Sequence, residues 1–211
     1  MLRVALTGGI ASGKSVVAEV FRQRGFHLYS ADRTGRDLMS PGGPAYASIV
    51  ERFGPKILSG DRSTGSPIDR AVLSKILFAD LAARRFVEKI VHPLAAAAMR
   101  EEAARLEAEG RTDVFVAESA LTIEAGLAGA FDKIVVVHCD PETQIRRLMA
   151  RDGLDRKAAG ARIAAQMPAA EKQVFADYLI DTSGEMEETI ARAEAVASLL
   201  LDEARAGRFS P

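Results

Sequence analysis

Apolar residues fall in two rhythms along the chain. Leu2, Val4 and Leu6 open a short run that stops at Gly8 and Gly9, and Val16, Val17, Val20 and Phe21 then recur at helical spacing until Gly25. The pattern predicts strand, glycine loop, helix. A second short strand is predicted over 26–29, two buried-strand runs over 114–117 and 134–138, and a fifth over 178–180. Unbroken β-branched runs, rather than alternation with polar residues, mark strands covered on both faces, so the expected fold is a parallel sheet between helices.

Residues 32–112 separate the second and third strands and are rich in helix formers. They break at Ser40, Pro41, Gly42, Gly43 and Pro44 and again over 59–67, which predicts an inserted helical subdomain. After the fourth strand, Asp140 is placed to cap a helix with Pro141 at its first position, running through Arg151 to Asp152 and Gly153. A second helix is predicted over 156–166, and a last one over about 185–204 with Ile190, Ala193, Val196, Ala197 and Leu200 on one face. The expected organisation is one domain of three parts: a core of about 1–31, 113–140 and 174–211, an insertion of about 32–112, and a helical hairpin of about 141–173.

With 211 residues, 48% of them apolar, the chain fills one core with insertions but not two full independent domains. Lys and Arg number 28 against 29 Asp and Glu, so no overall field holds a nucleic acid or an anionic membrane, and any polyanion site must be local. The longest apolar runs, such as 134–137, fall far short of a membrane span. Cys139 is the single cysteine and cannot form an intrachain disulfide, and the N-terminus lacks a signal pattern, so a cytoplasmic location is expected. Nothing in the pattern indicates an obligatory protein partner.

Gly8-Gly9-Ile10-Ala11-Ser12-Gly13-Lys14-Ser15 fits the spacing Gly, four residues, Gly-Lys-Ser. In such a loop the backbone around Gly8, Gly9, Ala11, Ser12, Gly13, Lys14, Ser15 and Val16 turns N–H groups toward the phosphates of ATP. Lys14 reaches the β- and γ-phosphates, and the Ser15 hydroxyl binds Mg²⁺. Switches, motors and kinases share this loop. Asp32-Arg33-Thr34-Gly35 spells the Asp-x-x-Gly of GTP switches, but guanine reading there needs Asn-Lys-x-Asp, and the chain has no Asn.

Asp32 follows the second strand and so falls at the carboxyl edge of a doubly wound sheet. A carboxylate there either takes the proton of an acceptor hydroxyl or caps the helix starting near Arg33. Glu118, at the end of the third strand, is an acid for Mg²⁺ or a solvated strand end. Arg147 and Arg151, four apart, share a helix face opposite Ile145, Leu148 and Met149. They suit a lid that closes over bound phosphates and leaves an empty site alone, or else form a solvated face. His92 beside Pro93 reads as a capping residue and Cys139 as a small buried hydrophobe.

These residues together resemble the dephospho-CoA kinase family, in order and over nearly the whole chain. The loop from Leu6 to Ser15 is similar to the family's opening loop, and Ala31-Asp32 resembles its Asp-Ala-Asp signature, whose second acid is taken as the base. Pro41-Gly42, Ile49-Val50 and Phe53-Gly54 follow, then Asp69-Arg70, Leu73, Phe78, Arg85, His92-Pro93 and Glu124-x-Gly126-Leu127. Gln144 with Arg147 and Arg151-Asp152, Arg162 with Gln166-Met167, and Ala176-Asp177 with Ile180-Asp181 complete the series.

The resemblance implies a P-loop NTPase-type doubly wound parallel sheet, nucleoside-monophosphate-kinase-like, with a helical acceptor domain and a helical lid. It implies transfer of the ATP γ-phosphoryl group to the ribose 3′-hydroxyl of dephospho-CoA, with Mg²⁺ on Ser15 and Glu118. Asp32 is then the base, Lys14 and Arg147 stabilise charge, Arg147 and Arg151 belong to the lid, and Asp32, Arg36, His92 and Glu124 contact the acceptor. The chain departs from the family pattern at Ser30 for the first acid of the signature, Glu118 for Asp, residues 119–123 for most of a Pro-Leu-Leu-Phe run, and Thr182 for Asn.

Overall fold

In chain order the elements are β1 (Leu2–Gly8), α1 (Lys14–Gln23), β2 (His27–Ser30), α2 (Ala31–Leu38), α3 (Tyr46–Phe53), α4 (Arg70–Ala79), α5 (Leu81–Glu109), β3 (Val114–Glu118), β4 (Lys133–His138), α6 (Pro141–Asp152), α7 (Arg156–Ala164), α8 (Ala169–Gln173), β5 (Tyr178–Asp181) and α9 (Met186–Ala206). They are those of a computed structural model that describes residues 1–61, 63 and 65–207. Arg62 and Thr64, in the loop expected over 59–67, lie outside the described residues. The chain separates into two units, Met1–Ser30 with Arg105–Pro211, and Ala31–Ala104.

The first unit is built on a five-stranded sheet of order β2-β3-β1-β4-β5, parallel at every pairing. β1 lies in the middle, so its neighbours pair with both of its edges, and its central residues Val4, Ala5 and Leu6 are apolar and buried on both faces. Val4 and Leu6 point to one face, where they pack with Val17, Val20 and Phe21 of α1 and Val196, Ala197 and Leu200 of α9. Ala5, between them, points to the other face with Ile134, Val136 and Ile123, as the period of two requires. All five strands expected from the sequence are present, the second beginning one residue later.

After β4 the local signals act as expected. The Asp140 side chain accepts from Thr143 N–H, Pro141 takes the first position of α6, and Gly153 ends it in the left-handed conformation. Asp155 caps α7 in the same way through Ala158 N–H. The short α8 has no counterpart among the expected elements, because five residues are too few for a readable helical period.

The second unit packs Ile49 and Phe53 of α3 against Leu73 of α4 and Ala83, Val87 and Val91 of α5, with Ile57 between them. Asp69 caps α4 through Ala71 and Val72 N–H, and Asp80 caps α5 through Ala82 and Ala83 N–H. His92 and Pro93 lie inside α5, so the reading of His92 as a capping residue is corrected: the helix continues through the proline despite the missing N–H. Among the described residues no helix is long and apolar enough to cross a membrane.

Candidate active site

Leu6, Thr7 and Gly8 pair with Val135, Val136 and Val137 of β4, which delivers the chain to the carboxyl edge of the sheet at Gly8. A Cβ on Gly8 would run into the Val137 carbonyl oxygen, so only glycine permits this close approach. The loop then turns back into α1 through Gly13, at φ 84°, where a side chain would be strained and would also meet Thr182 Oγ1 at 2.9 Å. Among the described residues no side chain caps α1. The N–H groups of Gly13, Lys14 and Ser15 have no partner among the described residues, whereas Val16 N–H is returned to Gly13 O at 3.0 Å. Unpaired donors at a helix N-terminus, with the dipole behind them, form an anion site. The buried hydroxyls of Thr7 and Ser12 are also without partners among the described residues.

Lys14 and Glu118 meet here. Lys14 Nζ lies 2.8 Å from Glu118 Oε1, both side chains being largely buried. Ser30 pairs with Glu118 across β2 and β3, so the end of β2 lies at the same edge of the sheet. Ser15, on the exposed side of α1, supplies a hydroxyl. Among the described residues there is no group of three or more His, Cys, Asp or Glu able to hold a metal. The hydroxyl of Ser15 and the carboxylate of Glu118 are hard oxygen donors of the kind that would suit Mg²⁺, an ion that proteins commonly bind through one or two side-chain oxygens alongside substrate phosphates.

Arg147 is already engaged. Its two terminal nitrogens donate to Thr182 Oγ1 at 3.0 Å and to Thr182 O at 2.8 Å, and the Thr182 hydroxyl donates to Ser12 O in the loop at 2.7 Å. Arg151, one turn on, is exposed and pairs with Asp152 at 2.7 Å, and Arg162 of α7 reaches the same carboxylate at 2.7 Å. The Arg151 hydrogen bond is the main reason that the Asp152 carboxyl is held below its ordinary range. Cys139 is buried, as expected, and burial pushes its thiol up, away from the reactive thiolate.

Glu124 lies in the first unit, where Oε1 takes Lys172 Nζ at 2.8 Å and Met167 N–H at 3.2 Å, while Oε2 is buried without a partner among the described residues. In the second unit Asp32 stands in the first turn of α2, which begins at Ala31. It is exposed, lies inside the helix, and caps nothing among the described residues. Arg36 lies in the last turn of α2 and His92 within α5, both exposed.

A family model described as dephospho-CoA kinase matches residues 2–188. The chain belongs to the dephospho-CoA kinase family. The dephospho-CoA kinase of Syntrophotalea carbinolica is 42% identical over 95% of this chain and 93% of its own, and that of Geobacter metallireducens is 45% identical over 90% and 92%. Among solved structures, a Thermus thermophilus protein superposes with a TM-score of 0.78 at 30% identity over 94% of this chain and 97% of its own. The dephospho-CoA kinase from Campylobacter jejuni superposes with a TM-score of 0.61 at 25% identity over 94% and 96%. The fold is thus that of a P-loop kinase, and the chain is an ATP-dependent phosphotransferase of this dephospho-CoA kinase family.

Seen as a family member, the chain carries its departures in revealing places. Thr182, where the family pattern has Asn, is buried and joins the loop at Ser12 to Arg147. Glu118, where the pattern has Asp, reaches Lys14 with its longer side chain. Four contacts of the site were not announced by the sequence: Thr182 on Arg147, Lys172 on Glu124, and Gln144 and Gln166 on Ile10, the two glutamines having appeared only as members of the family-like series. Each joins residues far apart in the chain, where periodicity says nothing.

Proposed function

We propose that the chain transfers the γ-phosphoryl group of ATP to the ribose 3′-hydroxyl of dephospho-CoA, giving ADP and CoA. The observation that carries this reading is the N-terminus of α1, where the amides of Gly13, Lys14 and Ser15 have no partner among the described residues, in a chain of this family. Those amides hold the donor phosphates, together with the backbone of Gly8, Gly9, Ala11 and Ser12. Lys14 exchanges Glu118 for the β- and γ-oxygens, a swap between anions that keeps its charge paired throughout. Ser15 and Glu118 would hold Mg²⁺, which would supply neutralisation of charge on the β- and γ-phosphates.

Asp32 accepts the proton of the 3′-hydroxyl as its oxygen forms the new bond to Pγ. The bond from Pγ to the β-bridging oxygen breaks, and ADP leaves with that electron pair. An exposed carboxylate engaged in no cap is available for this role. Residues 141–173 act as the lid, where Arg147 and Arg151 neutralise charge on the transferring group, and residues 32–112 act as the acceptor region. Arg36 and His92 are acceptor contacts there, and Glu124 keeps Oε2 for the same purpose.

Coupled ADP release with MgATP and a panel of acceptors tests the proposal. Dephospho-CoA should stimulate release far above the rate without acceptor, and nucleosides and shikimate should not. Stimulation by another alcohol alone would refute the assignment of the acceptor.

A further inference from the structure

Ile10 lies between two side-chain amides. Gln144, in the first turn of α6, donates from Nε2 to the Ile10 carbonyl oxygen at 2.7 Å. Gln166, in the turn after α7, accepts the Ile10 N–H on Oε1, also at 2.7 Å. The backbone decides which way each amide faces, since a carbonyl demands the NH₂ end and an N–H demands the oxygen. Gly9 leaves room for the pair: a Cβ there would lie 2.8 Å from Gln144 Nε2.

Peptide planarity makes these contacts consequential for the loop. In a trans peptide, C=O and N–H point in opposite directions. Holding the Ile10 carbonyl toward Gln144 therefore turns the Ala11 N–H the other way, where it has no partner among the described residues. Holding the Ile10 N–H toward Gln166 likewise turns the Gly9 carbonyl inward, where it accepts Ser12 N–H at 3.2 Å. Ala11 itself has φ 59°, and among the described residues it is the only non-glycine at positive φ. A β-carbon disfavours that conformation, which persists where the surroundings fix it.

We propose that Gln144 and Gln166 are positioning residues for the phosphate donor. Together they lock the peptide planes on both sides of Ile10, hold Ala11 in its left-handed conformation and present its N–H to the phosphates of ATP. A loop free to flip the peptide between Ile10 and Ala11 would offer that anion a carbonyl oxygen instead. The two glutamines come from opposite ends of the α6 and α7 pair, so the loop is held by both roots of that pair. The proposal rests on the reading of residues 8–15 as the ATP site.

Calorimetric titration with MgADP tests it. Gln144→Met and Gln166→Met keep length but lose the bond, and each should weaken binding about tenfold. The double variant should bind no more than about threefold worse than the weaker single, because both bonds act on one structural unit. KM for dephospho-CoA should stay within about twofold of the parent's, a split that general damage to the fold would not give. Gln144→Glu and Gln166→Glu then separate bond from charge. Both add one negative charge beside the same loop, but only a carboxylate at 166 can still accept from Ile10 N–H, so Gln166→Glu should bind MgADP at least about tenfold tighter than Gln144→Glu. Methionine variants that bind like the parent, losses that multiply in the double variant, or glutamate variants of equal affinity would overturn the proposal. A parent chain that itself fails to bind MgADP would instead overturn the donor-site reading, and the clamp with it.

Discussion

Replacing Arg147 by lysine keeps the charge and removes the fork. The guanidinium makes two bonds to one residue, at 3.0 Å to Thr182 Oγ1 and 2.8 Å to Thr182 O, from a half-buried position. An ammonium on a flexible stem can serve one of these acceptors but not both in the same geometry. Losing one hydrogen bond from a charged donor costs about 1.5 to 3 kcal/mol when fully buried, and about 1 to 1.5 is reasonable where water can reach the freed acceptor. For a chain of this size each kcal/mol moves Tm by about 2 to 4 °C, so the variant should melt about 2 to 6 °C below the parent without ligands. Arg151→Lys is the control: its partner is Asp152 in an exposed pair, such pairs are worth about 0 to 1 kcal/mol, and a lysine that keeps about half of that leaves a loss of at most about 0.5 kcal/mol, so its Tm should change by less than about 2 °C. Differential scanning calorimetry of the two variants, beside kcat with both substrates saturating, gives the comparison. An arginine directly engaged in the transition state is worth on the order of 10³ in rate, so Arg147→Lys should lose at least about tenfold in kcat. An unchanged Tm would refute the anchoring to Thr182, and an unchanged kcat would reduce Arg147 to a structural strut.

Asp32→Asn should keep the binding of both substrates by calorimetry while single-turnover rates fall by about 10² to 10⁴, and an unchanged rate would remove Asp32 from the chemistry. Lys172 is fully buried, with Nζ on Ala120 O at 2.6 Å and Glu124 Oε1 at 2.8 Å. Lys172→Met strands the carboxylate and should cost about 3 to 5 kcal/mol in chemical denaturation, more than half of it recovered by adding Glu124→Gln. Burial and the hydrogen bond to Glu203 push the Tyr178 phenol up to about 12, so its stabilising contribution is complete below the ordinary value of 10.0 and is lost as pH rises through 12. In absorbance titration of the folded protein, Tyr178→Phe should therefore remove a tyrosine ionisation centred near pH 12, and a parent trace with no such step would contradict this.

The strands and the loop were legible in the sequence because each is a local signal. Val114 to Ala117 and Ile134 to His138 are solid apolar runs, and the spacing from Gly8 to Ser15 leaves few alternatives. Asp140 and Pro141 announced α6 by the chemistry of a helix start. The helices of Ala31–Ala104 were legible only as a helical region, since the pattern through Pro93 does not say that α5 continues for 29 residues. The partners that hold the site together were not legible, although Gln144 and Gln166 stood in the family-like series. Gln144 and Gln166 lie 134 and 156 positions from Ile10, and Lys172 lies 52 from Ala120; polar side chains aimed at distant backbone atoms leave no period behind. Lys172 in particular reads as a solvated lysine in a short helix until the fold buries it.

The most direct test of phosphoryl transfer to the ribose is the position of the new phosphate. The chain is incubated with MgATP and dephospho-CoA, and the acceptor is recovered and examined by mass spectrometry and phosphorus NMR. The account predicts one added phosphate per ADP released, on the 3′-oxygen, and its absence when Asp32→Asn or Lys14→Ala replaces the parent. ADP formed without phosphate on the acceptor, or phosphate on any other oxygen, would contradict it.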